Sequence, residues 1–132
     1  MEFTLFKKEE KVSGKKQVID SNKTLALTLV VHCEKLILSL NLEDKSRKLD
    51  SNMQKQIEDF SYLWNRLYTV TKLVVNKYCV TNLEKSKGGN ILSYISQNTD
   101  INTQNPTILI AELKKREVLL RKIVAELDLL EN

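Results

Sequence analysis

The chain has 132 residues, 42% of them hydrophobic and 29% charged, with a formal charge of +4 and a pI near 9.0. That balance excludes a disordered, low-hydrophobicity polymer, and the length suits a single domain over 1–132, since domains run to roughly 100–150 residues and two cores would each be too small. Three glycines and one proline leave little material for long irregular loops, so most of the chain is expected in regular elements.

The amino-terminal forty-odd residues alternate. From Leu25 the odd positions read Leu25, Leu27, Leu29, Val31, and from Leu36 the even ones read Leu36, Leu38, Leu40, Leu42. Period two is the signature of a half-buried strand, and His32 to Lys35 would connect the two strands. Turn-like Ser13-Gly14-Lys15-Lys16 and Asp20-Ser21-Asn22-Lys23 divide off two shorter strands upstream, Phe3–Phe6 and Gln17–Asp20. The expectation is an antiparallel β-meander over 1–43. Its rival is one helix from about Ser21 to Leu42, because leucine is a strong helix former and Leu25, Leu29, Leu36 and Leu40 also fit one helical face. No Gly, Pro or Asn-Gly marks the proposed turn, which counts against the hairpin.

After Asp44 the period changes. Met53, Ile57, Phe60, Trp64, Leu67, Thr71, Val74 and Tyr78 follow spacings of four and three, which predicts a long amphipathic helix within 46–81, capped by Asp50 or Ser51. Residues 82–104 are expected as a polar connection that Gly88-Gly89-Asn90 breaks, with a short helix at Ile91–Ile95, and such a long connection suggests a hinge or binding loop. Asn105-Pro106 announces a last helix over 105–131, since asparagine caps well and proline at the first helical position costs no hydrogen bond. Leu109, Leu113, Arg116, Leu120, Ile123, Leu127 and Leu130 keep a four-three spacing, with Ile110, Val118, Leu119 and Val124 as a second apolar stripe. The fold class expected is α+β, a small meander followed by two long antiparallel helices; the alternative is an all-α helical bundle.

Chemistry-bearing constellations are sparse. His32 stands beside Cys33, but nucleophilic catalysis requires thiol and imidazole within hydrogen-bond reach, and neighbours on a strand point to opposite faces. Zinc wants four ligands, whereas the chain offers one histidine and two distant cysteines, Cys33 and Cys79, without CxxC spacing. Gly88-Gly89-Asn90 lacks the lysine and serine of a phosphate-binding loop. Glu58 with Asp59, and Glu126 with Asp128, read as solvating residues on helix faces. Phe60, Tyr62, Trp64 and Tyr68, with Arg66, Lys72 and Lys77 nearby, suggest a base-stacking platform, but aromatics at helical spacing usually pack in a core. No catalytic residue, cofactor or metal is expected.

The Met-Glu-Phe-Thr-Leu-Phe start lacks the charged region and apolar core of a signal peptide, and no uninterrupted apolar run approaches the roughly 18 residues of a membrane span. The chain is therefore expected to be intracellular, in cytoplasm or nucleus, without a membrane span. The function expected is a non-enzymatic assembly subunit that pairs through coiled-coil-like helices with another copy or a different protein. Its interface is expected at Leu109, Ile110, Leu113, Arg116, Leu120, Ile123, Val124, Leu127 and Leu130, because a helix this apolar needs cover on more than one side. Arg116 inside the stripe would pair across an interface or reach outward from its edge. The alternative is a nucleic-acid-binding accessory module using Lys45, Arg47, Lys48 and Lys55.

Overall fold

The computed structural model describes the backbone of residues 2–42, 48–96, 101 and 105–131, and the side chains among them from Gly14 onward. Among the described residues four helices follow one another: α1 (Glu2–Leu42), α2 (Ser51–Tyr78), α3 (Asn82–Ser96) and α4 (Pro106–Glu131). Among the described residues there is no strand. The fold is all-α, and where a meander over 1–43 was expected one continuous helix runs from Glu2 to Leu42.

The physical reason is visible on α1. Ala26, Leu29, Val30, Cys33, Leu36 and Leu40 lie inside the bundle, while Leu27, Val31, Leu38 and Leu42 lie outside. A helix with apolar residues on two opposite sides places them at nearly every position, so alternation arises by coincidence. Without turn residues at 32–35 nothing interrupts the backbone hydrogen bonds of the helix. For the same reason the segment Gly14–Leu42 is, by length and composition, long and apolar enough to cross a membrane. This corrects the expectation drawn from uninterrupted runs. In the fold it is a bundle helix, a role that passes the same compositional test, and it carries the polar Asn22 into the interior.

Each helix packs against two neighbours, α1 on α2 and α4, and α3 on α2 and α4. Lys23 meets Asp128 and Glu131, and Glu34 meets Arg121, so α1 and α4 run antiparallel. Asn22 bonds Thr71 while Lys15 acts on Cys79, which makes α1 and α2 antiparallel. Trp64 reaches Ile95 and Gly88 sits against Val75 and Cys79, giving the same relation for α2 and α3. The result is an up-down-up-down four-helix bundle, in which each amphipathic stripe faces the common axis. In the interior the Asn22 amide donates to the Thr71 hydroxyl at 3.0 Å. A buried polar pair of this kind fixes the register of two helices, since sliding would strand both groups in an apolar medium.

Local chemistry fixes the helix ends. The Asp50 carboxylate accepts from the Met53 N–H at 2.7 Å, and the Asn105 side chain accepts from Thr107 and Ile108, satisfying amides that no helical carbonyl reaches. Thr81 and Glu84 form a reciprocal capping box: the Glu84 N–H donates to the Thr81 hydroxyl and the Thr81 N–H to the Glu84 carboxylate. Hydrogen bonds donated to the Glu84 carboxylate, from the Thr81 backbone N–H first and the Thr81 hydroxyl second, hold that carboxyl below its ordinary range.

The α3 helix runs straight through Gly88-Gly89-Asn90, where a break was expected. Gly88 acts as a spacer: a Cβ there would lie 2.6 Å from a Val75 methyl carbon and 3.0 Å from the Cys79 sulfur, so its absence lets α2 and α3 approach. Gly89 faces open space. The two neighbouring glycines should therefore respond oppositely to the same substitution in urea denaturation. Gly89→Ala is expected to stabilise by about 0.5–1 kcal/mol through reduced backbone freedom, and Gly88→Ala to destabilise by about 1–3 kcal/mol through overpacking.

Candidate interaction surface

Two lines of residues run along α4 on opposite sides. The inner line, Leu109, Leu113, Arg116, Leu120, Ile123, Leu127 and Leu130, is buried within the chain's own bundle. Ile110 is buried with it, and Val124 packs against the core from its edge. The residues expected to face a partner thus form this molecule's interior, because α1, α2 and α3 supply the cover that the sequence left unassigned. Of the second apolar stripe, Leu119 is half-buried and Val118 is exposed.

About half a turn around the helix lies the outer line Ile108, Ala111, Lys115, Val118, Lys122, Ala125 and Leu129, again with strict three-four spacing and exposed throughout. Ile108, Val118 and Leu129 each keep more than half of their surface in solvent. The adjacent α1 carries a matching outer ridge of Leu27, Val31, Leu38 and Leu42, with Glu34 among them. Leu42, at 81% exposure, is the most solvated large apolar residue among the described side chains. Isolated apolar residues on a surface are ordinary, and here they recur along two parallel lines on neighbouring helices.

Ion pairs fill the groove between the ridges. Lys23 reaches Asp128 at 2.6 Å, Glu131 at 2.7 Å and Asp20 at 3.3 Å, and these carboxylates, Asp128 first, raise its pKa above the ordinary lysine value. Arg121 bridges Glu34 at 3.0 Å and Glu117 at 3.2 Å. Half-exposed pairs of this sort add little stability but hold the α1–α4 register.

Arg116 neither crosses an interface nor reaches outward. At 1% exposure its guanidinium lies 4.7 Å from the centroid of the Trp64 ring, linking diagonally opposite α4 and α2. The Trp64 indole N–H donates to the Ile95 carbonyl in the last turn of α3, a group that no helical amide can satisfy. Trp64 and Arg116 thus tie three helices together. Phe60 packs tilted against Trp64 with ring centroids 6.1 Å apart, and both are fully buried, so these two rings are core. Tyr62 is exposed on another side.

The remaining sequence-singled residues do not converge. Lys48 and Lys55 are exposed, while Lys45 and Arg47 lie outside the described residues. His32 is half-buried and Cys33 fully buried on α1, and burial first, then Glu117, pushes the Cys33 thiol up to about 12. Among the described residues no group of three or more His, Cys, Asp or Glu could hold a metal ion. No protein-family model matches this chain, and neither a curated protein nor a solved structure matches it at a significant level.

Two outcomes follow from the interior. Arg116→Ala removes the cation–π contact and leaves a cavity, so urea unfolding followed by the fluorescence of Trp64, the single tryptophan, should show a loss of about 2–4 kcal/mol and a shifted native emission. Between pH 9 and 12 the unfolded chain loses the Cys33 proton while the folded chain keeps it. Stability therefore falls as pH rises through that window and is complete below it. The decline between pH 8 and pH 10 should be shallower in Cys33→Ala than in the native chain.

Proposed function

We propose that this chain is a non-enzymatic assembly subunit whose docking surface is the outer face of the α1–α4 pair. The observation that supports this most is the second heptad line of α4, because a helix that only had to cover one core needs a single apolar line and gains nothing from a second in water. The neighbouring ridge on α1 widens the line into a patch two helices across. Among the described residues the buried polar groups, Asn22, Thr71 and Arg116, lie among packed side chains, where Asn22 and Thr71 bond each other and Arg116 stacks on Trp64.

Size-exclusion chromatography of a native cell extract tests this reading. The chain should elute well above the 15.3 kDa of a single copy. The double variant Leu38→Glu with Val118→Glu, which keeps the core intact, should move it to the single-copy position. Leu73→Glu, placed on the exposed side of α2, should leave the elution unchanged. A native chain that elutes as a single copy overturns the proposal.

A further inference from the structure

Resting on that reading, we infer that the occupant of the outer α1–α4 face is a second copy of this chain, related by a two-fold axis parallel to the helices, with α1 of each copy lying on α4 of the other. The register inside one molecule is set by Lys23 opposite Asp128 and Glu131, and by Glu34 opposite Arg121. A two-fold axis parallel to the helices leaves every residue at its own height, so the same register, within about one helical rise, governs the contact between copies. At that height Glu34 comes opposite Lys122 of the other copy, one residue beyond its own partner Arg121. Leu38 comes opposite Val118, and Leu27 opposite Leu129. Val31 comes opposite Ala125, so three of the four exposed apolar residues of the α1 ridge meet apolar residues of the α4 line, and the one acid among them meets a lysine. The symmetry makes each match twice.

Competing arrangements lack this match. Pairing α4 with α4 of another copy about its middle sets Lys115 against Lys122, and like charges in a helix seam are a device against association. A lipid surface would have to take up Lys115, Lys122 and Glu34 along with the apolar residues, at a desolvation cost that a complementary helix avoids.

Sedimentation velocity on the purified chain tests the inference. The native protein should sediment as a dimer, with twice the 15.3 kDa mass of one copy. Lys122→Glu and Glu34→Lys should each weaken the dimer about tenfold or more. The two together should restore it, a recovery that a general loss of folding does not produce. Circular dichroism on each variant checks that the helices remain. A purified chain that stays single at high micromolar concentration overturns the inference, as does a dimer that the double variant fails to recover. If the pure chain is single while the extract holds it in a larger particle, self-pairing fails and the assembly reading stands; if it is single in both, the two fail together.

Discussion

The structure depends on the burial of four apolar stripes around one axis, and the interaction that holds the stripes in step is the contact between α1 and α4. These helices pack the most extensively of any pair, and the Lys23 cluster and the Glu34–Arg121 bridge mark their register along the groove. Apolar burial supplies the driving force but is indifferent to small sliding motions, whereas ion pairs and the buried Asn22–Thr71 bond are satisfied only at one offset. The polar groups therefore select which of several similar packings is occupied. Trp64 and Arg116 extend the same logic across the diagonal, where a ring and a guanidinium replace the leucine that would otherwise fill the space.

That division of labour explains why α4 can present two heptad lines of different character. The inner one is almost wholly leucine and isoleucine, with Arg116 stacked on an aromatic ring. The outer one mixes isoleucine, valine and leucine with alanine and lysine. A fully apolar outer line would make the single chain prone to indiscriminate association, and a fully charged one would offer nothing to bury. Lysines at two of its seven positions, Lys115 and Lys122, place positive charge between the apolar residues of that line. Specificity of this sort comes as much from what is repelled as from what is attracted.

Much of the helical content was legible in the sequence because it rests on local chemistry. The α2 stripe from Met53 to Val74, the Asp50 cap and the Asn105-Pro106 start are each written within a turn or two of chain, and caps act through bonds of three residues or fewer. The Thr81–Glu84 capping box was equally readable and would have extended the helix through residues 82–96. The expectation for residues 82–104 did not draw on it and rested on the glycine pair, whose role depends on α2 standing behind it.

What the sequence by itself determined, then, was where apolar lines lie on α2 and α4 and where those helices begin. It could not determine whether α1 was helix or hairpin, because apolar residues on two faces produce period two and period 3.6 at once. Only the packed bundle, which buries Ile19, Ala26, Leu29, Cys33, Leu36 and Leu40 together, separates them. The tertiary structure likewise decided which line of α4 faces inward. An apolar spacing says that a surface must be covered, and nothing in it says whether the cover comes from the same chain; that depends on how three other helices converge in space.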